Sequence, residues 1–541
     1  MSAKGKIARA AGAMSFATFI SRILGYVKDM ILAKFFGATG ISDIFFVAFR
    51  IPNLLRELFA EGSMSSAFIP VLTEYQTKHG KGEANRLVKA TFLFILIFVG
   101  LICVLGIIFA PAIVTAIAPG FLSDPVKFAN TVLLTRIMIP FLLFISLAAL
   151  TMGALNTRGV FFIPALAPAM LNIVIIVSVL TLSIQFTQPI VAVAIGVTVG
   201  GLTQFMFQVP AFFRRGYSFF RKGNSKASSQ VPEPDPSRIT QRPSLSFLHP
   251  GLKKIGILII PATAGLAVAQ INIFVSTILA SYLAEGSITY LYYSMRLIQF
   301  PIGIFGVAMG MAVLPALSEH AVKKEFDVLK DDFSFALRLL FFITVPAMIG
   351  LIALKVPIVN VLFQRGEFDY AATIGTSDAL MFYSVGIWAI VGVRVITATF
   401  YSMQDTKTPV KIAVAAMTAN IIFSLLLMSP MKHSGLALAN SIASGANFIL
   451  LFYFLRKKLG GVGTKRIAVS FAKTLAASAV MGFAGWYILK GEMWTASGNS
   501  LEKALYLGLA ILLCAGIFMF ISYLLKSEEM GYIIDKVRSK K

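Results

Sequence analysis

The chain has 541 residues, of which 57% are hydrophobic and only 13% are charged, and its mean hydropathy is +0.82. Soluble domains average about 45–50% apolar and about 25% charged residues, so this composition excludes a water-soluble protein as the class. The formal net charge of +24 raises nucleic-acid binding as an alternative. The two cysteines and four histidines are too few and too scattered to predict a disulfide framework, a metal site or histidine-based catalysis.

Apolar runs long enough to cross a bilayer, about 20 residues each, recur along the whole chain. They predict an all-α polytopic membrane protein with about fourteen transmembrane helices and no sizeable soluble domain. The predicted spans lie near residues 11–36, 41–72, 90–118, 128–155, 160–184, 189–213, 253–283, 288–317, 333–362, 374–402, 408–428, 434–456, 467–489 and 502–525.

Lysine and arginine concentrate in alternate loops. Dense groups lie in residues 214–254, 456–466 and 526–541, whereas the opposite side of the membrane would hold only a few. Cytoplasmic loops carry the excess of positive charge in membrane proteins, so both termini are predicted to be cytoplasmic. Membrane topology therefore accounts for the net charge, and nucleic acid is not an expected partner. Charged residues interrupt the first apolar stretch, which is interpreted as a retained helix rather than a signal peptide.

The chain contains an internal repeat. Five segments recur in the same order at a nearly constant offset of 243 to 249 residues, which indicates a duplication. The matched segments are 68–74 with 313–319, 110–114 with 356–359, 154–158 with 403–407, Asn172 with Asn420, and 201–205 with 445–448.

Each repeat has six predicted spans, an even number, so the two copies share one orientation in the membrane. Parallel repeats build alternating-access transporters, with the substrate site at the repeat interface. The predicted organisation is an N-terminal six-helix lobe, a proline-rich cytoplasmic linker, a C-terminal six-helix lobe, and two additional transmembrane helices with a cytoplasmic tail. The corresponding residues are 1–213, 214–250, 251–458 and 459–541.

Several charged residues lie inside predicted spans, where an unpartnered charge costs several kcal/mol or more. Cations outnumber the acids that can pair with them, which favours a cavity for an anionic ligand. Arginine grips phosphate oxygens bidentately, so phosphate or pyrophosphate is the expected chemistry. The alternative is that these residues pair with neighbouring acids or reach the headgroups. The residues concerned are Arg22, Lys28, Asp29, Asp43, Arg50, Arg56, Glu57, Glu61 and Arg296, while Arg136 and Arg394 are left unassigned. For Arg50 the alternative is favoured, because a position near the membrane interface fits this residue.

The N-terminal third carries a recognisable pattern. Residues 21–29 read SRILGYVKD, residues 43–56 read DIFFVAFRIPNLLR, and residues 59–62 read FAEG. Together with Arg296-Leu297, Pro301, Gly303, Gly306 and Leu314-Pro315, this pattern resembles the MurJ (MviN) family of bacterial lipid II flippases over essentially the whole chain.

The resemblance implies the fold of the multidrug/oligosaccharidyl-lipid/polysaccharide exporter superfamily in the bacterial inner membrane. It implies movement of lipid II, the undecaprenyl-pyrophosphate-linked peptidoglycan precursor, from the inner to the outer leaflet. The implied partners are lipid II, membrane lipids and a coupling cation or the membrane potential, with no cofactor or metal. The two extra helices would help form a groove for the lipid tail. The implied substrate-binding residues are Arg22, Lys28, Arg56 and Arg296, with Ser21, Asp29, Asp43 and Glu61 in supporting or gating roles.

There are departures from the family pattern. Lys28 stands where many members have arginine, and Met295 and Gln299 occupy positions that are acidic in some. The seventh span has Gln270 and Asn272 but no carboxylate. The alternatives are an exporter of another polyprenyl-linked oligosaccharide, a drug or cation antiporter, a scaffold, and a membrane enzyme acting on polyprenyl pyrophosphate. The last would need an acid–base or metal constellation that the sequence does not present, so no catalytic residue is predicted.

Overall fold

The structure is a computed structural model that describes residues 3–57, 64–219, 249–498 and 500–538. These residues form helices joined by short turns, and none of them lies in a β-strand. The α-helices are α1 (Ala3–Phe36), α2 (Gly40–Leu55), α3 (Met64–Lys78), α4 (Gly80–Ile108), α5 (Ala110–Ile117), α6 (Pro125–Met138), α7 (Phe141–Asn156), α8 (Phe162–Leu182), α9 (Ile190–Arg214), α10 (Pro250–Ser281), α11 (Ser287–Pro301), α12 (Val307–Lys323), α13 (Phe326–Ala353), α14 (Lys355–Phe363), α15 (Tyr370–Ser384), α16 (Ile387–Ser402), α17 (Lys407–Leu459), α18 (Thr464–Ile488), α19 (Leu501–Leu524) and α20 (Glu528–Arg538).

Within these described ranges, nine helical stretches are long and apolar enough to cross a membrane. One of them, α17, contains two of the predicted spans, because its backbone turns at Lys432, where φ is +52°. The prediction of an all-α polytopic membrane protein is confirmed. The number of fourteen spans stays a prediction, since length and composition identify only part of the set.

The helices pack into two compact units. Unit 1 comprises Met1–Ile31, Val47–Ala116 and Asp124–Gln270, and unit 2 comprises Leu32–Phe46, Ile117–Ser123 and Ile271–Lys541. Packing defines these units, whereas the internal repeat defines the predicted lobes, so the domain boundaries drawn from sequence remain predictions.

The repeat is visible in where helices break. In unit 1, α4 ends and α5 begins around Phe109, just before Pro111. In unit 2, α13 ends and α14 begins around Leu354, just before Pro357. These are the prolines that the repeat aligns. Proline has no backbone N–H and is tolerated in the first turn of a helix, so it marks a new helix start in both copies.

The repeat is visible again in two hydrogen bonds donated by asparagine side chains. Asn172 of α8 donates from Nδ2 to the backbone carbonyl of Ser21 in α1, at 3.3 Å. Asn420 of α17 donates from Nδ2 to Oδ1 of Asn272 in α10, at 2.6 Å. In each unit, the fifth span of the repeat is thus tied to the first by its matched asparagine.

In unit 2 the additional helices are held at both ends. α18 packs along α13. The loop after α18 is tied to α14 by Asn360, whose Nδ2 donates to the carbonyls of Trp494 at 2.8 Å and Ala496 at 2.9 Å. α20 is tied to α13 by Arg338, which pairs with two glutamates. These contacts make the additional helices part of the unit rather than an appendage.

The two ends of the predicted linker lie in unit 1, although residues 220–248 fall outside the described part of the chain. At one end Tyr217 and Gln76 share a hydrogen bond, and the Arg158 guanidinium lies over the Tyr217 ring at 5.1 Å from its centroid. At the other end buried His249 lies against Tyr75, with ring centroids 5.2 Å apart.

Candidate functional site

The first predicted cation, Arg22, projects from α1 in unit 1 and is exposed. It makes no hydrogen bond or ion pair with any other residue that the structure describes. Arg22 and Asp29 share one face of α1, so an ion pair between them was the alternative to ligand binding. That pair is therefore not observed. A guanidinium in a predicted membrane span, with no counter-ion among the described residues, is a position at which an anionic ligand would be stabilised.

Further along α1, Lys28 and Asp29 form an ion pair. The Lys28 ammonium is 3.0 Å from Oδ1 of Asp29, and the two side chains are 12% and 0% exposed. A buried carboxylate needs a counter-charge, and Lys28 provides one. Lys28 is a compact point charge with several donors, so pairing with Asp29 does not consume its capacity to contact a ligand.

The second span carries a short polar network in unit 1. Pro52 lies inside α2, which ends at Leu55, and residues 56–57 continue as a π-helical turn. There Arg56 donates from Nε to Oδ1 of Asn53 at 3.1 Å, and its Nη2 lies 3.7 Å from Oε1 of Glu57. The internal pairing of Arg56 with Glu57 that the sequence left open is thus present. π-Helical turns inside helices are frequent at functional sites.

Glu57 has a further partner that the sequence analysis did not assign. Gln270 of α10 donates from Nε2 to Oε2 of Glu57 at 2.5 Å, and Asn53 donates from Nδ2 to Oε1 of the same carboxylate at 3.1 Å. A glutamine in a long apolar helix is the sequence signal for such a contact, but its partner lies more than 200 residues away. The carboxylate therefore links α2 to α10.

Asp43 has a structural position in unit 2. It is 1% exposed, and its carboxylate accepts from the backbone N–H of Gly286 at 2.8 Å. It also accepts from the N–H of Thr289 at 2.9 Å and from the Thr289 hydroxyl at 2.7 Å. The side chain from α2 thereby caps the first turn of α11, whose N–H groups have no helical partners.

Arg296 lies in the middle of α11, which carries the capped N-terminus, and its side chain is half-buried. A π-helical segment, Ile302–Gly306, follows α11 directly. The second span of each repeat therefore contains a π-helical turn, which includes Arg56 in unit 1 and begins six residues after Arg296 in unit 2.

The structure brings together some of the predicted site residues within each unit. In unit 1 it pairs Lys28 with Asp29 and places Arg56 beside Glu57, and the Ser21 carbonyl accepts from Asn172. In unit 2 it joins Asp43 to the helix that bears Arg296. Glu61 lies outside the described residues. In the part of the chain that is described, no three or more His, Cys, Asp and Glu side chains form a group that could hold a metal ion.

Fold and site together define the class of protein. A duplicated set of transmembrane helices with charged residues inside the spans is the architecture of a polytopic transporter. A solved inward-facing MATE family transporter of the MOP superfamily matches 83% of this chain and 98% of its own length with a TM-score of 0.63. At 15% identity this likeness shows the fold alone.

Sequence comparison specifies the family. The family model described as "Lipid II flippase MurJ" matches residues 32–507. A Vibrio cholerae relative named "Probable lipid II flippase MurJ" is 37% identical over 506 residues, covering 91% of each chain. A Haemophilus influenzae relative of the same name is 35% identical over 483 residues, covering 87% of this chain and 90% of its own.

A solved structure of "Lipid II flippase MurJ, inward closed conformation" aligns with a TM-score of 0.74 at 27% identity, covering 93% of this chain and 98% of that one. The chain belongs to the lipid II flippase MurJ family. The resemblance seen in the sequence is confirmed, as is the superfamily fold. Membership makes this a multi-pass protein of the bacterial inner membrane, in a class of flippases and transporters rather than of enzymes, with a role in peptidoglycan synthesis.

Proposed function

We propose that this chain moves lipid II from the inner to the outer leaflet of the inner membrane by alternating access, and that Arg22, Lys28, Arg56 and Arg296 bind the pyrophosphate. The observation that carries the proposal is Arg22, an exposed guanidinium in α1 without a counter-ion among the described residues. The relatives named lipid II flippase support the substrate, and the duplicated helices support the mechanism.

In this proposal Asp29, Asp43 and Ser21 hold the cationic side chains or their helices in place. Asp29 neutralises the charge of Lys28, and Asp43 caps the N-terminus of α11, the helix that bears Arg296. The backbone carbonyl of Ser21 accepts the hydrogen bond from α8. Glu61 belongs to the same proposed group by its position in the sequence motif. The protein performs no bond-making or bond-breaking step, because binding and release of pyrophosphate require only charge and access.

The proposed lobes are residues 1–213 and 251–458, joined by a cytoplasmic linker at 214–250, with residues 459–541 as an addition. Both termini lie in the cytoplasm, as the basic loops indicate. The energy source is a coupling cation or the membrane potential. Transport of a substrate with two phosphate charges responds to the potential because a charge crossing it gains about 2.3 kcal/mol per 100 mV.

The test uses a strain depleted of its own flippase and rescued by this chain, with an assay for accessibility of lipid II in the outer leaflet. We expect Arg22→Ala and Arg296→Ala to lose growth and outer-leaflet lipid II, since each removes a charge-assisted contact. Arg22→Lys keeps the charge without the bidentate fork and should retain partial activity. Arg86→Ala is the matched control, because Arg86 is exposed and paired with Glu83.

Full activity of an Arg22→Ala, Arg296→Ala double variant that inserts normally would overturn the role of the cations. If the wild-type chain leaves lipid II in the inner leaflet but clears a different polyprenyl-linked oligosaccharide, the substrate assignment is wrong and the alternative exporter is correct.

A further inference from the structure

Unit 1 contains an apolar cavity apart from the charged residues. It has a volume of about 250 Å³, and every residue that lines it is hydrophobic, glycine or proline. An apolar cavity of about 150 Å³ is already large enough to hold a benzene-sized molecule and stays dry. This one has room for several methylene groups. The lining residues used below are Pro52, Leu55, Leu105, Phe109, Ile139 and Leu142.

Three helices are interrupted at this cavity. α2 contains Pro52 and ends at Leu55. α4 gives way to α5 at Phe109, and α6 gives way to α7 at Ile139-Pro140. Uninterrupted helices pack the side chains of one into the grooves of the next and leave few voids. Because three helices are interrupted at the same place, a cavity remains here.

The mouth of the cavity opens beside exposed apolar side chains, the kind of surface that a membrane span presents to lipid. Leu105 and Phe109 on its rim are 44% and 56% exposed, and every exposed side chain between residues 94 and 109 is apolar. A void with no atoms on one side forfeits dispersion contacts, and water has no polar partner in this lining. Hydrocarbon from the surrounding bilayer is therefore the occupant that the cavity stabilises.

The second repeat shows what covers the equivalent break when protein is available. There Leu354, between α13 and α14, is 4% exposed and packs in one cluster with Leu489 and Trp494 from the loop after α18 and with Leu507 from α19. By the offset of 246 residues that aligns Pro111 with Pro357, the matching residue in unit 1 is Ile108, which is 60% exposed. The additional helices thus supply an apolar cover in unit 2, whereas the described residues of unit 1 leave Ile108 exposed at the matching break.

A cation lies beside the cavity. Arg136 of α6 is exposed, and its Nε donates to the backbone carbonyl of Ile107 at 3.2 Å. This carbonyl belongs to the last turn of α4, next to rim residue Leu105, and Arg136 precedes Ile139 by one helical turn. Arginine has five N–H donors, so the bond to Ile107 leaves donors for an anionic group. A long side chain in a membrane span directs its charge toward the headgroup region.

We propose that this cavity is a phospholipid-binding site, in which one acyl chain fills the space behind Pro52 and the phosphate contacts the Arg136 guanidinium. The site takes a resident membrane phospholipid rather than the transported substrate. It is independent of the proposed transport function, since none of its residues is among the proposed pyrophosphate ligands.

The test uses the purified full-length protein in detergent micelles with phosphatidylethanolamine that carries a photoactivatable diazirine in the middle of one acyl chain. After irradiation, peptide mass spectrometry measures the labelled positions. We expect saturable labelling concentrated on the peptides around Leu105 and Ile139, displaced by unlabelled phosphatidylethanolamine. Leu105→Trp fills the cavity and should reduce this labelling several-fold. Arg136→Gln should raise the lipid concentration for half-maximal labelling about tenfold, whereas Arg136→Lys should raise it less.

Leu101→Trp is the matched control, because Leu101 lies one turn earlier on α4 and is 55% exposed but does not line the cavity. Ile113→Trp provides a second way to fill the cavity if Leu105→Trp does not fold. Labelling that follows exposure over all helices and rises linearly with lipid would overturn the site. Displacement by undecaprenyl pyrophosphate but not by phospholipid would also overturn it, because the cavity would then belong to the substrate.

Discussion

Charged side chains in the spans of this protein fall into two groups at the residue scale. Lys28, Asp29 and Asp43 have partners that account for their burial, so each also has a structural role. Arg22 has no partner among the described residues, so a structural role does not explain it. The distinction separates positions where substitution should affect stability from one where it should mainly affect transport.

Asp43→Asn should destabilise unit 2. The carboxylate accepts three hydrogen bonds at the start of α11. In the asparagine variant an N–H₂ group replaces one of the two carboxylate oxygens, so the donors that faced this oxygen lose their acceptor. Leaving buried donors unsatisfied costs about 1–3 kcal/mol. The expected result is a lower unfolding temperature of the purified protein in detergent.

Asp124→Asn is the matched control for that experiment. Asp124 caps α6 in the same way, accepting from Val126 and Lys127, but it is exposed. Water can satisfy the released donors there, so the loss of stability should be smaller. Equal losses for the two variants would contradict the role assigned to Asp43.

His249 should make stability depend on pH. It is buried just before α10, and its Nδ1 accepts from the N–H of Gly251 at 3.1 Å. Burial lowers the pKa of His249 from its usual 6.5, although the Glu83 carboxylate acts in the opposite direction. The neutral ring therefore contributes stability that is present above pH 6.5 and is lost as pH falls through the lower pKa of the folded protein.

The measurement is the unfolding temperature at about pH 7.5 and about pH 5. His249→Gln should reduce the difference between the two, while His79→Gln, at an exposed position that also contacts Tyr75, should leave it unchanged. An unchanged pH dependence in His249→Gln would show that other groups determine it.

At the scale of elements, the C-terminal helix α20 is held by a buried charge. Arg338 of α13 donates from Nη1 to Glu528 at 2.6 Å and to Glu529 at 2.9 Å. Glu529 is 2% exposed and also accepts from the Ser527 hydroxyl at 2.7 Å. Arg338 precedes Glu528 by 190 residues in sequence, and no local pattern pairs them.

Arg338→Met should release α20. Removing one partner of a buried ion pair leaves an uncompensated charge and costs about 3–5 kcal/mol, whereas replacing both partners by apolar residues costs much less. We therefore expect faster hydrogen exchange in α20 for Arg338→Met and recovery in the Arg338→Met, Glu529→Met double variant. Arg466→Gln is the control, since Arg466 is exposed and lies 3.6 Å from Glu528. Unchanged exchange in Arg338→Met would exclude the pair as the anchor.

Elements were predictable from sequence to different degrees. The apolar runs predicted the helices well. The breaks just before Pro111 and Pro357 lie inside the predicted spans 90–118 and 333–362 and were not predicted. The partners of polar side chains were not predictable, because Glu57 with Gln270 and Arg338 with Glu529 join distant parts of the chain. The periodicity of a sequence indicates which residues form the apolar face of a helix, but not which helices pack against each other.

At the scale of the whole molecule, the basic loops predict that both termini are cytoplasmic. Green fluorescent protein fused at the C-terminus should fluoresce, and alkaline phosphatase fused there should be inactive, because each reporter works on only one side of the membrane. Alkaline phosphatase inserted after Gly491, in the loop between α18 and α19, should be active. The opposite pattern would reverse the orientation and with it the direction assigned to transport.

The sequence by itself determined the membrane class, the duplication and the family resemblance, because these depend on composition, order and local motif. Only the tertiary structure decided that Lys28 is a counter-ion of Asp29, that Asp43 caps α11, and that three helix breaks enclose a cavity beside Arg136. Such contacts depend on which distant helices pack together, which one sequence read along its length does not specify.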